Sequence, residues 1–135
     1  MNDVCNEREI QWLSQLFHNS LEQFNNREGE IEQIGTYDVR IYGDEAIKVI
    51  ICEYENEDGL DYLLVLLFVA PTSRNVYEEV EAYQEVTTIY ECFFEIVDRM
   101  RYRNFLLLES FTMPREGLDI LEFSEFMTTY IFRNL

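Results

Sequence analysis

Histidine, cysteine and lysine, the side chains that most often carry chemistry at neutral pH, are scarce in this chain, whereas carboxylates abound. His18 is the one histidine, and it lies beside an apolar stripe where a packed or surface role is expected. With no second histidine there is no basis for a His-based metal site or for two-histidine phosphodiesterase chemistry. Cys5, Cys52 and Cys92 stand far apart without a CxxC spacing, and an odd number cannot pair fully within the chain. Cys52 and Cys92 fall inside apolar patterns and read as buried, inert thiols in a reducing compartment; a Cys-His nucleophile would need one of the three to meet His18. The five glycines are isolated at expected turns, with nothing like a phosphate-cradling GxxxxGK[ST] or GxGxxG run, so no cofactor is expected.

The carboxylates are the remaining candidates. Glu53, Glu55, Glu57, Asp58 and Asp61 place five acids within nine residues, a donor set that suits a hard cation. The EF-hand pattern fails, because Gly59 is seventh from Glu53 and Leu64, not a glutamate, is twelfth, and the expectation is a solvated hairpin tip with no metal. Residues 75–103 read as one long amphipathic helix. At 100° per residue Val76, Val80, Tyr83, Val86, Ile89, Tyr90, Phe93, Phe94, Val97 and Met100 gather on one side, and Glu78, Glu81, Glu85, Glu91, Glu95 and Asp98 on the other. Asn75 with Glu78 forms a capping-box start, and Arg99, Arg101 and Arg103 suit the negative end of the helix dipole. At ~1.5 Å per residue the six acids run along about 30 Å, forgoing the mixed-sign i,i+4 pairs of ordinary helices.

These sites need elements to position them. Residues 6–27 form an expected first helix, with Asn6 and Glu9 in capping relation and Ile10, Leu13, Leu16, Phe17, Leu21 and Phe24 at helical spacing. Residues 34–42 alternate, with Tyr37, Val39 and Ile41 on one face and Asp38 and Arg40 on the other, as in a half-buried strand. A second strand follows over 46–54. Residues 60–70 (LDYLLVLLFVA) are apolar almost throughout, which predicts a central strand covered on both faces. FLLLESFTM after Asn104 is a fourth strand, stopped by Pro114 and Gly117, and Asp119 with Glu122 caps a last helix containing Ile120, Phe123, Met127, Tyr130 and Ile131. The order α-β-β-β-α-β-α predicts one α+β domain over residues 1–135. It has a three-stranded antiparallel meander, a fourth strand reached by a crossover, and helices packed on the sheet.

At 135 residues and 47% hydrophobic, the chain can bury a real core. Its 27 acids against 10 bases leave a net charge of -17, which opposes direct contact with nucleic acid or anionic lipid and draws the protein toward basic surfaces. MNDVCNEREIQ lacks the layout of a secretory signal, and the longest apolar run is about half of the ~20 residues a membrane helix needs. The expectation is a soluble protein of the cytoplasm, in a bacterial or virus-infected cell.

An α-β-β-β-α-β order is similar to the core of PD-(D/E)xK nucleases, which implies a metal-holding acidic pair and a lysine. Asp38 or Asp44 would supply the first acid, but Glu45 and Lys48 are spaced ExxK, which puts them on opposite faces of a strand. In size, acidity and approximate element order the chain also resembles the class I chaperones of type III secretion. That resemblance implies a homodimer escorting an extended segment of a secreted protein along apolar grooves, here involving residues 123–132. The charge favours a different reading: a non-enzymatic protein that occupies the basic groove of a nucleic-acid-binding partner, as phage anti-restriction, anti-CRISPR and toxin-immunity proteins do. Its binding face would be the acidic helix, extended by the turn from Glu53 to Asp61.

Overall fold

A computed structural model describes residues 3–70 and 93–134. The elements are α1 (Asp3–Asn25), β1 (Ile31–Ile34), β2 (Tyr37–Gly43), β3 (Ile47–Glu55), β4 (Asp61–Val69), α2 (Phe94–Tyr102), β5 (Leu106–Pro114) and α3 (Ile120–Asn134). The five strands form one antiparallel sheet in the order β1-β2-β3-β4-β5, so the α+β architecture expected from the sequence is present.

β4 is the apolar run, and its register explains its composition. Leu63, Val65, Leu67 and Val69 pack toward a layer containing Leu13, Phe17 and Leu21 of α1 and Phe123, Met127 and Ile131 of α3. Leu64, Leu66 and Phe68 pack on the opposite face with Ile96, Val97 and Met100 of α2. Alternate residues therefore enter two different cores, and a strand with two buried faces has no place for the polar alternation of a surface strand. β3 follows the same rule, with Val49 and Ile51 in the first layer and Ile50 and Cys52 in the second.

Three features differ from the sequence expectation. First, the strand expected from residue 34 is two strands, because Gly35 (φ 63°) and Thr36 form a two-residue turn that pairs Ile34 with Tyr37. β1 is short and half polar, which hid it. Second, α1 already spans Asp3, so Asn6 lies inside the helix; an Asn and a Glu three apart occur readily by composition in so acidic a chain. Third, α2 is rotated relative to the expected stripe. Phe93, Ile96, Val97 and Met100 point inward, while Phe94 is 47% exposed. An i, i+3, i+4, i+7 set centred on Phe93 leaves Phe94 on the flank. The expected start of that helix at Asn75 lies outside the described residues.

The helix ends follow local chemistry. α1 closes with the Glu28 N–H donating to the Gln23 carbonyl (2.7 Å) and the Arg27 N–H to the Phe24 carbonyl (3.0 Å), with Arg27 itself left-handed (φ 60°). Arg40 from β2 then donates to the carbonyls of Glu28 and Gly29, and the buried Tyr42 hydroxyl donates to Glu28 at 2.8 Å. α2 ends the same way, with Asn104 left-handed and the Phe105 N–H on the Met100 carbonyl. At α3 the Asp119 carboxylate accepts the Glu122 N–H at 3.0 Å, as its capping spacing predicts.

Gly43 is the glycine at which a Cβ would meet main chain rather than a side chain. Its φ is 107°, and a Cβ there would run into the Ile47 main-chain carbonyl, whereas one on Gly117 (φ 77°) would meet nothing within 4 Å. Gly43→Ala is expected to lower unfolding stability by about 2 kcal/mol, and Gly117→Ala by about 1 kcal/mol or less, from strain at positive φ. Urea titration of both variants checks this; equal losses would mean that the carbonyl contact at Gly43 carries no cost.

Candidate functional site

The acidic turn is the hairpin joining β3 to β4. Asn56 organises it: its N–H donates to the Leu60 carbonyl (2.9 Å), its carbonyl accepts from Gly59 (3.0 Å), and its side-chain Oδ1 accepts the N–H groups of Asp58 (3.0 Å) and Leu60 (2.9 Å). Gly59 supplies the positive φ of 77°. The main chain of the tip is thus held by an amide side chain. Glu55, Glu57, Asp58 and Asp61 are all exposed around it, and Glu55 stands directly across from Asp61 in the strand register. Like charges in that relation repel. None of the four takes part in an ion pair among the described residues.

Glu53 is different. It pairs with Arg115, whose guanidinium also lies over the Phe24 ring at 5.5 Å from its centroid, and whose N–H donates to the Asp61 carbonyl at 3.0 Å. Glu53 is therefore a strut between the sheet and the loop before α3 rather than part of the open acidic surface. A pairing across 62 residues of sequence leaves no local signal.

Of the six helix acids, Glu78, Glu81, Glu85 and Glu91 lie outside the described residues. Glu95 and Asp98 are exposed on α2, but Arg99 and Arg101 share that helix, so its described part is not purely acidic. Glu95 also lies over the β1–β2 turn, where its carboxylate occupies the place a Cβ on Gly35 would take. At the other end of α2, Arg103 makes a two-pronged contact with Glu32 of β1 at 2.9 and 2.5 Å. This hydrogen-bonded guanidinium holds the Glu32 carboxyl below its ordinary value, against a smaller opposing effect of burial. The C-terminal end of α2 is fastened to the edge of the sheet.

The other candidates resolve into structural roles. Asp44 Oδ1 accepts the N–H groups of Ile47 and Ala46, and these main-chain bonds hold its pKa down. Asp38 belongs to the α1/α3 side of the sheet, while Lys48, paired across from Phe68, lies on the α2 side with its Nζ 5.8 Å from the centroid of the Phe105 ring. A strand-borne acid and lysine thus face opposite layers. His18 Nε2 sits 3.1 Å from Glu22 in a surface cleft between α1 and Glu125 of α3. Cys52 is buried in the α2 layer. Among the described residues no three His, Cys, Asp or Glu side chains converge in a metal-binding group, and no helix is long and apolar enough to cross a membrane.

One half-buried acid escaped the sequence reading. A bulge between Leu67 and Phe68 inserts Leu108 into β5, so that Leu108 and Glu109 both serve the α1/α3 side. Burial raises the Glu109 pKa, partly offset by the Ser110 N–H that its Oε1 accepts at 3.0 Å. FLLLESF reads as an ordinary strand unless the bulge is known.

Comparison of the chain with protein-family models, with curated proteins and with solved structures finds no match.

Because the folded state raises the Glu109 pKa, its protonated form stabilises the fold below the ordinary glutamate range, and that contribution is lost as pH rises through the elevated value. Glu109→Gln is therefore expected to stabilise the protein at pH 7, by less than about 1 kcal/mol since half of the group is solvated, and to have no effect near pH 4. Urea midpoints at the two pH values check this; an equal gain at both would assign the effect to packing.

Proposed function

We propose that the protein is a non-enzymatic binder of a basic protein, acting as an inhibitor that occupies a surface its partner uses for nucleic acid. The observation that carries this reading is the β3–β4 tip: a hairpin fixed by Asn56, presenting Glu55, Glu57, Asp58 and Asp61 with no counter-charge among the described residues and with Glu55 opposite Asp61. The tip's backbone is already ordered before a partner arrives, so its carboxylates lose little freedom on meeting Arg and Lys side chains. The net charge of -17 supplies long-range attraction to a basic surface and repulsion from nucleic acid itself. Glu78, Glu81, Glu85 and Glu91 extend the same chemistry in sequence, and Asp98 adds an exposed acid on α2.

A second reading, a dimeric escort resembling class I type III secretion chaperones, draws on the exposed Leu121, Phe126 and Tyr130 of α3. It requires a dimer, and a monomer at tens of micromolar by sedimentation would remove it.

Capture from a bacterial lysate on the immobilised protein, eluted by a salt gradient, tests the first reading. The expected result is a nucleic-acid-binding protein retained at low salt, released as salt rises, and retained at least about tenfold less by the variant Glu55→Gln, Glu57→Gln, Asp58→Asn, Asp61→Asn. Retention that is indifferent to both salt and these substitutions contradicts the reading.

A further inference from the structure

The outer edge of β5 and the flank of α3 beside it form a second surface, separate from the acidic tip. β5 pairs with β4 alone, so among the described residues its other edge offers main-chain donors and acceptors to no strand. Phe126 is 57% and Tyr130 42% exposed beside this edge, above the buried Phe111 and Phe123. The four rings form one cluster: Phe111 lies 6.5 Å from Phe126 and 5.8 Å from Tyr130, Phe123 stacks with Phe126 at 6.4 Å, and Phe126 lies 6.2 Å from Tyr130. Rings supported from beneath are rigid anchors that lose little side-chain entropy on burial.

Polar character along the edge narrows what could cover this surface. Glu109 and Phe111 stand opposite Leu67 and Val65, both members of the α1/α3 layer, so the carboxylate and the aromatic cluster share one side of β5 two residues apart. Glu109 has no cationic side chain paired with it among the described residues. A second copy of the chain would bring the same net charge of -17 against this edge, and a helix would leave the edge groups of β5 unsatisfied. A strand fits both the edge and the two-residue spacing, because alternate side chains of an added strand fall on the same face.

Resting on the reading that the partner is basic, we propose that β5 accepts an extended cationic segment of that partner as an added strand. An apolar residue of the segment lies against Phe126 and Tyr130, and a Lys or Arg two residues away lies against Glu109. The Glu109 carboxylate then exchanges its local bond to Ser110 for a charge-assisted one.

The test uses a fluorescein-labelled ten-residue peptide in which threonine alternates with leucine and arginine. Anisotropy is expected to give a Kd of about 10–100 µM, a range in which each tenfold change is measurable. Phe126→Ser with Tyr130→Ser, both exposed positions, should weaken binding at least about tenfold, and so should replacing the peptide leucines by serine. Glu109→Gln should weaken it about threefold. Hydrogen exchange of the β5 amides should slow when the peptide binds. Unchanged binding by the Phe126/Tyr130 variant overturns the proposal. If that variant binds normally while the four-residue hairpin variant does not, the edge is excluded and the basic-partner reading survives. No binding to either surface contradicts both. A parent dimer that the Phe126/Tyr130 substitutions convert to monomer would assign the edge to a second copy and overturn the proposal as well.

Discussion

Burial of β4 on both faces is the constraint on which the rest of the molecule depends. Seven consecutive residues from Leu63 to Val69 are removed from water, alternating between two cores. At about 1.5–3 kcal/mol for each large apolar side chain fully buried, this strand alone contributes on the order of 10 kcal/mol of gross hydrophobic stabilisation, as an upper estimate. Both faces must be covered for that gain to exist. Hence the helices divide, with α1 and α3 on one side and α2 on the other, and hence β3 and β5 flank β4 and shield its main chain.

Such a core lets the surface carry a charge that would otherwise weaken a small domain. Net stability is only about 5–15 kcal/mol in ordinary domains, so self-repulsion among carboxylates is a term of consequence. Three of the arginines fasten elements. Arg40 closes the end of α1 onto β2, Arg103 ties α2 to β1 through Glu32, and Arg115 ties Glu53 to the approach to α3. Used this way, none of these three arginines pairs with Glu55, Glu57, Asp58 or Asp61. The acidity of the hairpin is thus a property of the folded arrangement and not just of composition.

How much of this was legible in sequence follows from how local each signal is. The nine strand residues of β4, the alternation of Tyr37, Val39 and Ile41, and the Asp119 cap are local patterns, and they appear as read. Non-local features left no trace. The pairs Glu32 with Arg103 and Glu53 with Arg115 join positions far apart in the chain, and the bulge at Leu108 is visible only against β4. Gly35 followed by Thr36 is a weak hairpin signal, so β1 merged with β2. The acidic turn sits on a hairpin, as its sequence predicts, yet Glu53 pairs with Arg115 as a strut, and Glu95 lies over Gly35. The aromatic segment 123–132 is legible by its composition, whereas its place beside the edge of β5 that meets no other strand among the described residues requires the fold.

The central claim is that this surface holds unpaired negative charge at a cost to stability, available to a basic partner. Thermal unfolding in sodium chloride from about 20 mM to 0.5 M tests it most directly, because added salt shortens the screening length from about 20 Å to about 4 Å. A melting temperature that climbs steadily over that range, with a smaller climb in the hairpin variant lacking the charges at Glu55, Glu57, Asp58 and Asp61, is the predicted result. A flat or falling melting temperature would mean that the carboxylates are already compensated within the fold, and would contradict the claim.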